Sequence, residues 1–217
     1  MITPENMSLI DYSEHTNPEQ YSAISVPEGP VLVIAGAGSG KTRTIVYRVA
    51  WLIDSGVDPQ SILLLTFTRK AAMEMLNRAS RLLDGRASMV FGGTFHSVGY
   101  SLLKKYSESI NLDRSFSIMD QRDILDAIEQ SKKNLTPPVS DLKSFPKAKT
   151  LYEILSRSVG ASRDIETVVK DRYPHFEEYI PEIQKISTEY QEVKTKNNLL
   201  DYDDLLMQSV RLLEDNE

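Results

Sequence analysis

The stretch Leu32 to Ile45, LVIAGAGSGKTRTI, constrains this chain more than any other: an apolar run stops at a cluster of glycines and restarts with a helical pattern. GPVLVIAG reads as a buried strand. From Lys41 to Asp54 the residues Ile45, Val49, Leu52 and Ile53 fall on one helical face, and Gly56 closes the segment. Strand, glycine turn and helix in that order place backbone N–H groups and the positive end of a helix dipole at one point. An anion fits there, and a phosphate best of all.

The segments that follow extend the pattern. SILLLTFT reads as a second, fully buried strand, and Ala72, Met75, Leu76, Ala79, Leu82 and Leu83 form the stripe of a second helix. MVFGGTF reads as a third strand weakened by Gly92 and Gly93, and HSVGYSLLKKY as a helix with Val98, Leu102 and Tyr106 on one side. Buried strands alternating with amphipathic helices imply α/β architecture with a parallel sheet. Ahead of the glycine turn, Asn17 reads as an N-cap with Pro18 at the first helical position. After Asn111 the long apolar runs give way to polar helical patterns. These include the helix-breaking NLTPPVS, a helix with Ile183, Ile186, Tyr190 and Val193 in register, and a last helix capped by Asp201. That last helix is expected to turn Tyr202, Leu205, Leu206, Ser209, Val210 and Leu213 inward. The expected organisation is residues 1–111, residues 112–198 as a helical insert, and residues 199–217 as a return helix.

Composition narrows the function classes. With 41% hydrophobic residues in 217 the chain can build a real core. No cysteine is present, which excludes disulfides and thiolate metal sites, and His15, His96 and His175 lie too far apart in sequence to suggest a zinc cluster. The start has no basic n-region or apolar h-region, and no eighteen apolar residues run together, so no membrane role and a cytoplasmic location are expected. A net charge of −6 argues against coating nucleic acid through bulk charge. Any such site must be local. Between Ser131 and Arg163 seven bases face two acids, a balance of +5, which suits either a solvated helical face or a phosphate-tracking patch.

AGAGSGKT has the Walker A spacing, with Ala35 where the general pattern has its first glycine. Ala37, Gly38, Ser39 and Gly40 would supply the cradle, Lys41 would reach the β and γ phosphates of ATP, and the Thr42 hydroxyl would ligate Mg²⁺. Three further segments occur in order with it: NPEQ before the loop, LLLTFTRKAAMEM after it, then GGTFHSVGYSLL. Together they resemble the UvrD/Rep type of superfamily 1 DNA helicases. The likeness is strong from Asn17 to Leu103, diffuse from Leu112 to Asn198, and recovered at LLDYDDLL.

The resemblance implies an incomplete RecA-like P-loop motor domain with a mostly helical insert. Its expected activity is ATP-driven translocation on single-stranded DNA with unwinding at duplex junctions, in repair or replication restart. By the same resemblance Gln20 reads the adenine edge, although its spacing from Asn17 equally suits a capping box. Arg43 matches an arginine beside the nucleotide. Phe67 and Thr68 match positions that touch single-stranded DNA; an aromatic there can stack on any base or pack in the core. Arg69 replaces a frequent family asparagine and, with Lys70, fits the same track. Thr94, Phe95, His96 and Ser97 match a segment that holds the DNA backbone and couples it to the nucleotide.

Hydrolysis also needs an acid that holds Mg²⁺, a residue that orients water, and arginines facing the γ-phosphate. SFSIMD is too short and polar for a strand ending in such acids and NLLDYDDLL reads as a capped helix; in the resembled family an Asp-Glu-x-Gln-Asp segment follows shortly after a DYDDLL-like helix and is expected after Glu217. The chain therefore reads as an amino-terminal portion without turnover of its own. A non-catalytic DNA- or partner-binding module is the alternative, and a kinase or exporter ATPase fits TFTRKAA and TFHS poorly. The strand at Val31 to Ala35 is expected at an exposed sheet edge, where it could pair with a second copy.

Overall fold

The computed structural model describes residues 10–27, 29–83, 85–135 and 144–215. The paired prolines Pro137 and Pro138, with Asp141 and Lys143 of the basic stretch, lie outside them. Two compact units divide the chain, Met1–Val98 and Gly99–Glu217.

The first unit opens with α1 (Tyr12–His15) and α2 (Pro18–Ser25), the latter starting at an Asn17 cap as its sequence implies. Then come α3 (Lys41–Asp54), β1 (Leu63–Thr66), α4 (Arg69–Leu82), β2 (Phe91–Thr94) and the start of α5 (Phe95–Tyr106). β1 and β2 pair in parallel, with Leu63 opposite Phe91 and Thr66 opposite Thr94, so the two strands end level with each other. The core joins Ile24, Val46, Val49, Ala50, Ile53, Leu64, Met75, Ala79, Leu83 and Val90. At its rim the Asp54 carboxylate accepts from the Tyr12 hydroxyl at 2.6 Å and from Arg86 at 2.8 Å.

Three expectations need correction here. GPVLVIAG is not a strand: its residues pair with no neighbour among those described, and Leu32 and Ile34 stand 85% and 89% exposed. An apolar run becomes a buried strand only when partners supply its backbone hydrogen bonds and a layer covers its faces. The parallel sheet is thus a pair of strands, and the α/β character holds at that scale. β1 is half-buried rather than fully buried; Leu64 and Thr66 point into the core, whereas Leu63 is half exposed. In α3 the buried face is Val46, Tyr47, Val49, Ala50 and Ile53, and Ile45 lies outside it.

The second unit holds the rest of α5, β3 (Ser117–Ile118), α6 (Gln121–Asn134), α7 (Ala148–Gly160), α8 (Ile165–Arg172), α9 (Ile180–Lys196), β4 (Leu199–Leu200) and α10 (Tyr202–Glu214). β3 and β4 form a short parallel pair. Ile128, Leu151, Ile154, Val169, Ile183 and Ile186 are buried together where α6 to α9 meet, as the α9 register implies. A second cluster packs Leu103, Ile110 and Phe116 against Leu200, Leu205 and Leu212. α10 is therefore turned differently from its expected face: Leu205 and Leu212 are buried, while Tyr202, Val210 and Leu213 are exposed. Its close approach to α5 depends on Gly99, where a Cβ would lie 2.6 Å from the Ser209 hydroxyl.

Candidate functional site

The glycine turn is built as a cradle. Gly38 and Gly40 adopt φ of +78° and +85°, a region costly for side-chain-bearing residues, and alternating signs of φ curl successive N–H groups toward one side. A Cβ at Gly36 or Gly38 would meet nothing within 4 Å, so the backbone is open to close approach by a ligand. Gly40 is the N-cap of α3 and offers no side chain, which leaves the orphan N–H groups of the first turn available to an anion. That turn contains Lys41 and Arg43 and no acid. These features suit the phosphates of a nucleotide.

Within the turn Lys41 Nζ donates to the carbonyls of Ala35 at 3.0 Å and Gly36 at 2.6 Å, while the Ser39 hydroxyl donates to Gly36 O at 2.8 Å. The ammonium is thus held by carbonyls of the loop itself. Thr42 is exposed on the first turn. The Arg43 guanidinium lies over the Tyr47 ring at 5.6 Å, one helical turn away. Gln20 makes the capping box with Asn17 and also donates from Nε2 to Ser39 O at 2.9 Å. The capping-box reading is the one this geometry forms, and it sets the Gln20 amide beside the cradle. The cap itself is formed.

A second group of residues gathers at the carboxyl ends of β1 and β2. Because the strands end level, the residues that follow them meet: the rings of Phe67 and Phe95 lie 5.9 Å apart. Phe67 is 93% exposed, so core packing is excluded for it in this structure. Thr68 caps α4 by accepting from Ala71 N–H at 3.1 Å, and Thr66 donates to Thr68 O. Arg69 and Lys70 occupy the exposed first turn of α4, where cations oppose the helix dipole. Thr94 and Ser97 bond each other reciprocally: Ser97 N–H donates to the Thr94 hydroxyl at 3.1 Å and Thr94 N–H to Ser97 Oγ at 2.9 Å. Those two side chains hold the start of α5. His96 is half-buried beside them.

The sequence reading missed a buried charge cluster in the second unit. Lys194, 3% exposed, donates to Asp201 at 2.8 Å and to Asp204 at 2.6 Å, and the Tyr190 hydroxyl donates to Asp201 at 2.9 Å. Burial pushes the Asp201 carboxyl up, but Lys194, the Asp204 N–H and Tyr190 together hold it below the ordinary carboxylate value. For Asp204 burial wins, with the Asp201 charge adding to it, and its pKa is raised. Tyr152 is pushed up to about 12 by burial and by Asp203, Asp201 and Asp204. The signal was present in the sequence: Lys194 follows Ile183, Ile186 and Tyr190 at helical spacing, on the inward face. Among the described residues no group of three or more His, Cys, Asp or Glu could hold a metal ion, and no helix is long and apolar enough to cross a membrane.

The ATP-dependent DNA helicase PcrA of Staphylococcus aureus (strain NCTC 8325 / PS 47) is 34% identical over 203 residues, covering 92% of this chain and 27% of that protein. PcrA of Bacillus subtilis (strain 168) is 33% identical over 201 residues, covering 91% and 26%. The chain thus spans about a quarter of the length of the curated relatives it matches. Residues 16–217 match the profile of the UvrD/REP helicase N-terminal domain, and the chain belongs to that family.

Proposed function

We propose that this chain is the ATP-binding amino-terminal part of a superfamily 1 DNA helicase, which couples ATP hydrolysis to movement along single-stranded DNA and to unwinding at duplex junctions. The observation that carries the reading is the open glycine cradle feeding α3, with the Lys41 ammonium on the loop's carbonyls and no acid in the helix's first turn. Backbone N–H groups of residues 37–40 and the Lys41 ammonium bind the phosphates, Gln20 and Arg43 flank the rest of the nucleotide, and Thr42 offers its hydroxyl to Mg²⁺. When bound, Mg²⁺ neutralises charge on the phosphates.

Phe67 and Phe95 offer a stacking platform that accepts any base, while Arg69 and Lys70 meet backbone phosphates. Thr94 and Ser97 fix the turn that presents Phe95 and His96. Residues 1–111 form the first part of a RecA-like motor domain, 112–198 its insert and 199–217 the return helix, the sheet being widened by strands outside this chain.

Taken alone, these 217 residues bind without turnover, because Lys41 and Thr42 lack the acid partner that hydrolysis needs. Titration of a fluorescent ATP analogue with Mg²⁺ should show binding that Lys41→Ala weakens by about 10- to 100-fold, the worth of a hydrogen bond to a charged group. Binding indifferent to Lys41 would overturn the nucleotide site. Steady ATPase near the rate of an ordinary motor, abolished by Lys41→Ala, would overturn the absence of turnover.

A further inference from the structure

Gln20 touches the phosphate loop in a way that reading a base does not require. Its Oε1 accepts the Asn17 N–H at 3.2 Å, its own N–H donates to Asn17 Oδ1 at 2.8 Å, and its Nε2 donates to the Ser39 carbonyl at 2.9 Å. The side chain thus runs from the capped start of α2 across to the loop, 19 residues further along the chain. In a trans peptide the C=O and the following N–H point in opposite directions. Pinning Ser39 C=O toward Gln20 therefore turns the Gly40 N–H to the far side of that peptide plane. The Gly40 N–H makes no hydrogen bond of its own among the described residues.

The fit is close on both sides. A Cβ at Gly40 would lie 2.8 Å from Gln20 Nε2, so glycine at this position is what lets the amide reach the loop, in addition to the φ of +85° that the turn demands there. The capping box holds the amide by its oxygen, so the NH₂ group is presented to Ser39 by a fixed arm rather than by a freely rotating side chain. The amide's second N–H and second lone pair remain available for a base edge.

We infer that Gln20 is a positioning residue for phosphate binding: its amide orients the Ser39–Gly40 peptide so that the Gly40 N–H faces the phosphates, an action independent of any base. This rests on the proposed reading of the loop as a phosphate site, and it adds to base recognition a role that a ligand without a base can report. Gln20 thereby links whatever engages the base to the shape of the phosphate cradle.

The test is titration of the 217-residue chain with Mg²⁺–tripolyphosphate, which has the phosphates and no base. It compares wild type, Gln20→Met and Lys41→Ala. Gln20→Met keeps the length of the side chain and the Asn17 cap on the residue 20 N–H, and its thermal melt checks that the fold is retained. The expected result is Lys41-dependent binding that Gln20→Met weakens by about fivefold, the usual worth of one net hydrogen bond. The Gly40 amide resonance should also shift in the ligand-free variant. If Gln20→Met binds tripolyphosphate as wild type does and loses affinity only for ATP, the amide reads the base alone and the inference fails while the site stands. If wild type shows no Lys41-dependent binding of either ligand, the phosphate site itself fails and takes the inference with it.

Discussion

Three helices of the second unit begin differently from two of the first. In the second unit α6 starts with a capping box between Asp120 and Asp123, α10 with one between Asp201 and Asp204, and α8 with an Asp164 side-chain cap. Each puts carboxylates where the helix dipole is positive, which stabilises the helix without outside help. In the first unit α3 starts at Gly40 with no side-chain cap and with Lys41 and Arg43 in its first turn, and α4 starts with Arg69 and Lys70. Those two starts spend helix stability on cations at the wrong pole. The difference points to where a ligand can act: the basic first turns of α3 and α4, like the uncapped start of α7 at Lys147, leave a local electrostatic mismatch that a bound anion relieves. At α4 the mismatch lies in the charges alone, because Thr68 already caps the helix.

The largest effect should come from breaking the satisfied side of the comparison. Lys194→Met leaves Asp201 and the Tyr190 hydroxyl buried without the ammonium that compensates the carboxylate. Removing one partner of a buried pair typically costs about 3 to 5 kcal/mol. Urea unfolding followed by circular dichroism should show that loss, while the affinity for a labelled single-stranded oligonucleotide stays unchanged under native conditions. A variant as stable as wild type would mean that the cluster is solvated and that the second unit is not held by it.

On the mismatched side, Phe67→Ala should leave stability nearly untouched, because the ring is exposed, and should weaken single-strand binding by about 1 to 3 kcal/mol, the worth of one stacking aromatic. Fluorescence anisotropy with oligonucleotides of different sequence measures it. Equal losses on all sequences fit a stacking platform. A loss of stability with unchanged DNA affinity would return Phe67 to a packing role.

What could be read from the sequence follows the range over which each signal acts. Caps at Asn17 and Asp201, the closing Gly56 and the positive-φ turn at Gly38 and Gly40 were legible because they are settled within a few residues. The Phe67–Phe95 pair was legible only as two separate motifs; its meeting depends on the level register of β1 and β2, which nothing local specifies. Val31–Ile34 was misread as a buried strand because apolar character reports what a segment could bury, and burial needs partners from elsewhere. The faces of α3 and α10 slipped by about one residue for a related reason. Both helices carry apolar residues on more than one side, so periodicity alone does not choose between Ile45 and Val46, or between Leu213 and Leu212. Lys194 was hidden by its type, since lysine reads as surface unless its partners, seven and ten residues on, are counted with it.

A smaller effect separates the two carboxylates that share Lys194. Asp201 is held below its ordinary value of 3.8, so its contribution to stability is present above that pH and is lost as pH falls through its lowered pKa. Asp204 is raised, so the folded state binds its proton more tightly than the unfolded chain, and its contribution declines as pH rises from the ordinary carboxylate range through the raised value. Asp204→Asn removes that decline. Its urea midpoint should therefore gain on wild type between pH 4 and pH 7. If the variant instead loses ground over that interval, Asp204 is a second stabilising partner of Lys194 and the surplus charge is compensated elsewhere.

The smallest effect tests the mismatch itself. Replacing Arg69 and Lys70 with glutamates puts acids at the positive end of α4, under the Thr68 cap, and should raise the free energy of unfolding by about 0.3 to 1 kcal/mol per favourable charge at low ionic strength. The same change removes cations from the proposed DNA track, so the salt dependence of single-strand binding should flatten by about 0.7 in log–log slope for each phosphate left without its cation. Stability and binding then move in opposite directions, as they must if these residues are held at the wrong pole of the helix for the sake of an anion. The matching change in the second unit, Asp120→Ala, should lower stability by about 1 kcal/mol and leave DNA affinity alone. If the glutamate variant is destabilised, Arg69 or Lys70 makes a native interaction worth more than the dipole penalty, and the basic start of α4 is structural rather than reserved for DNA.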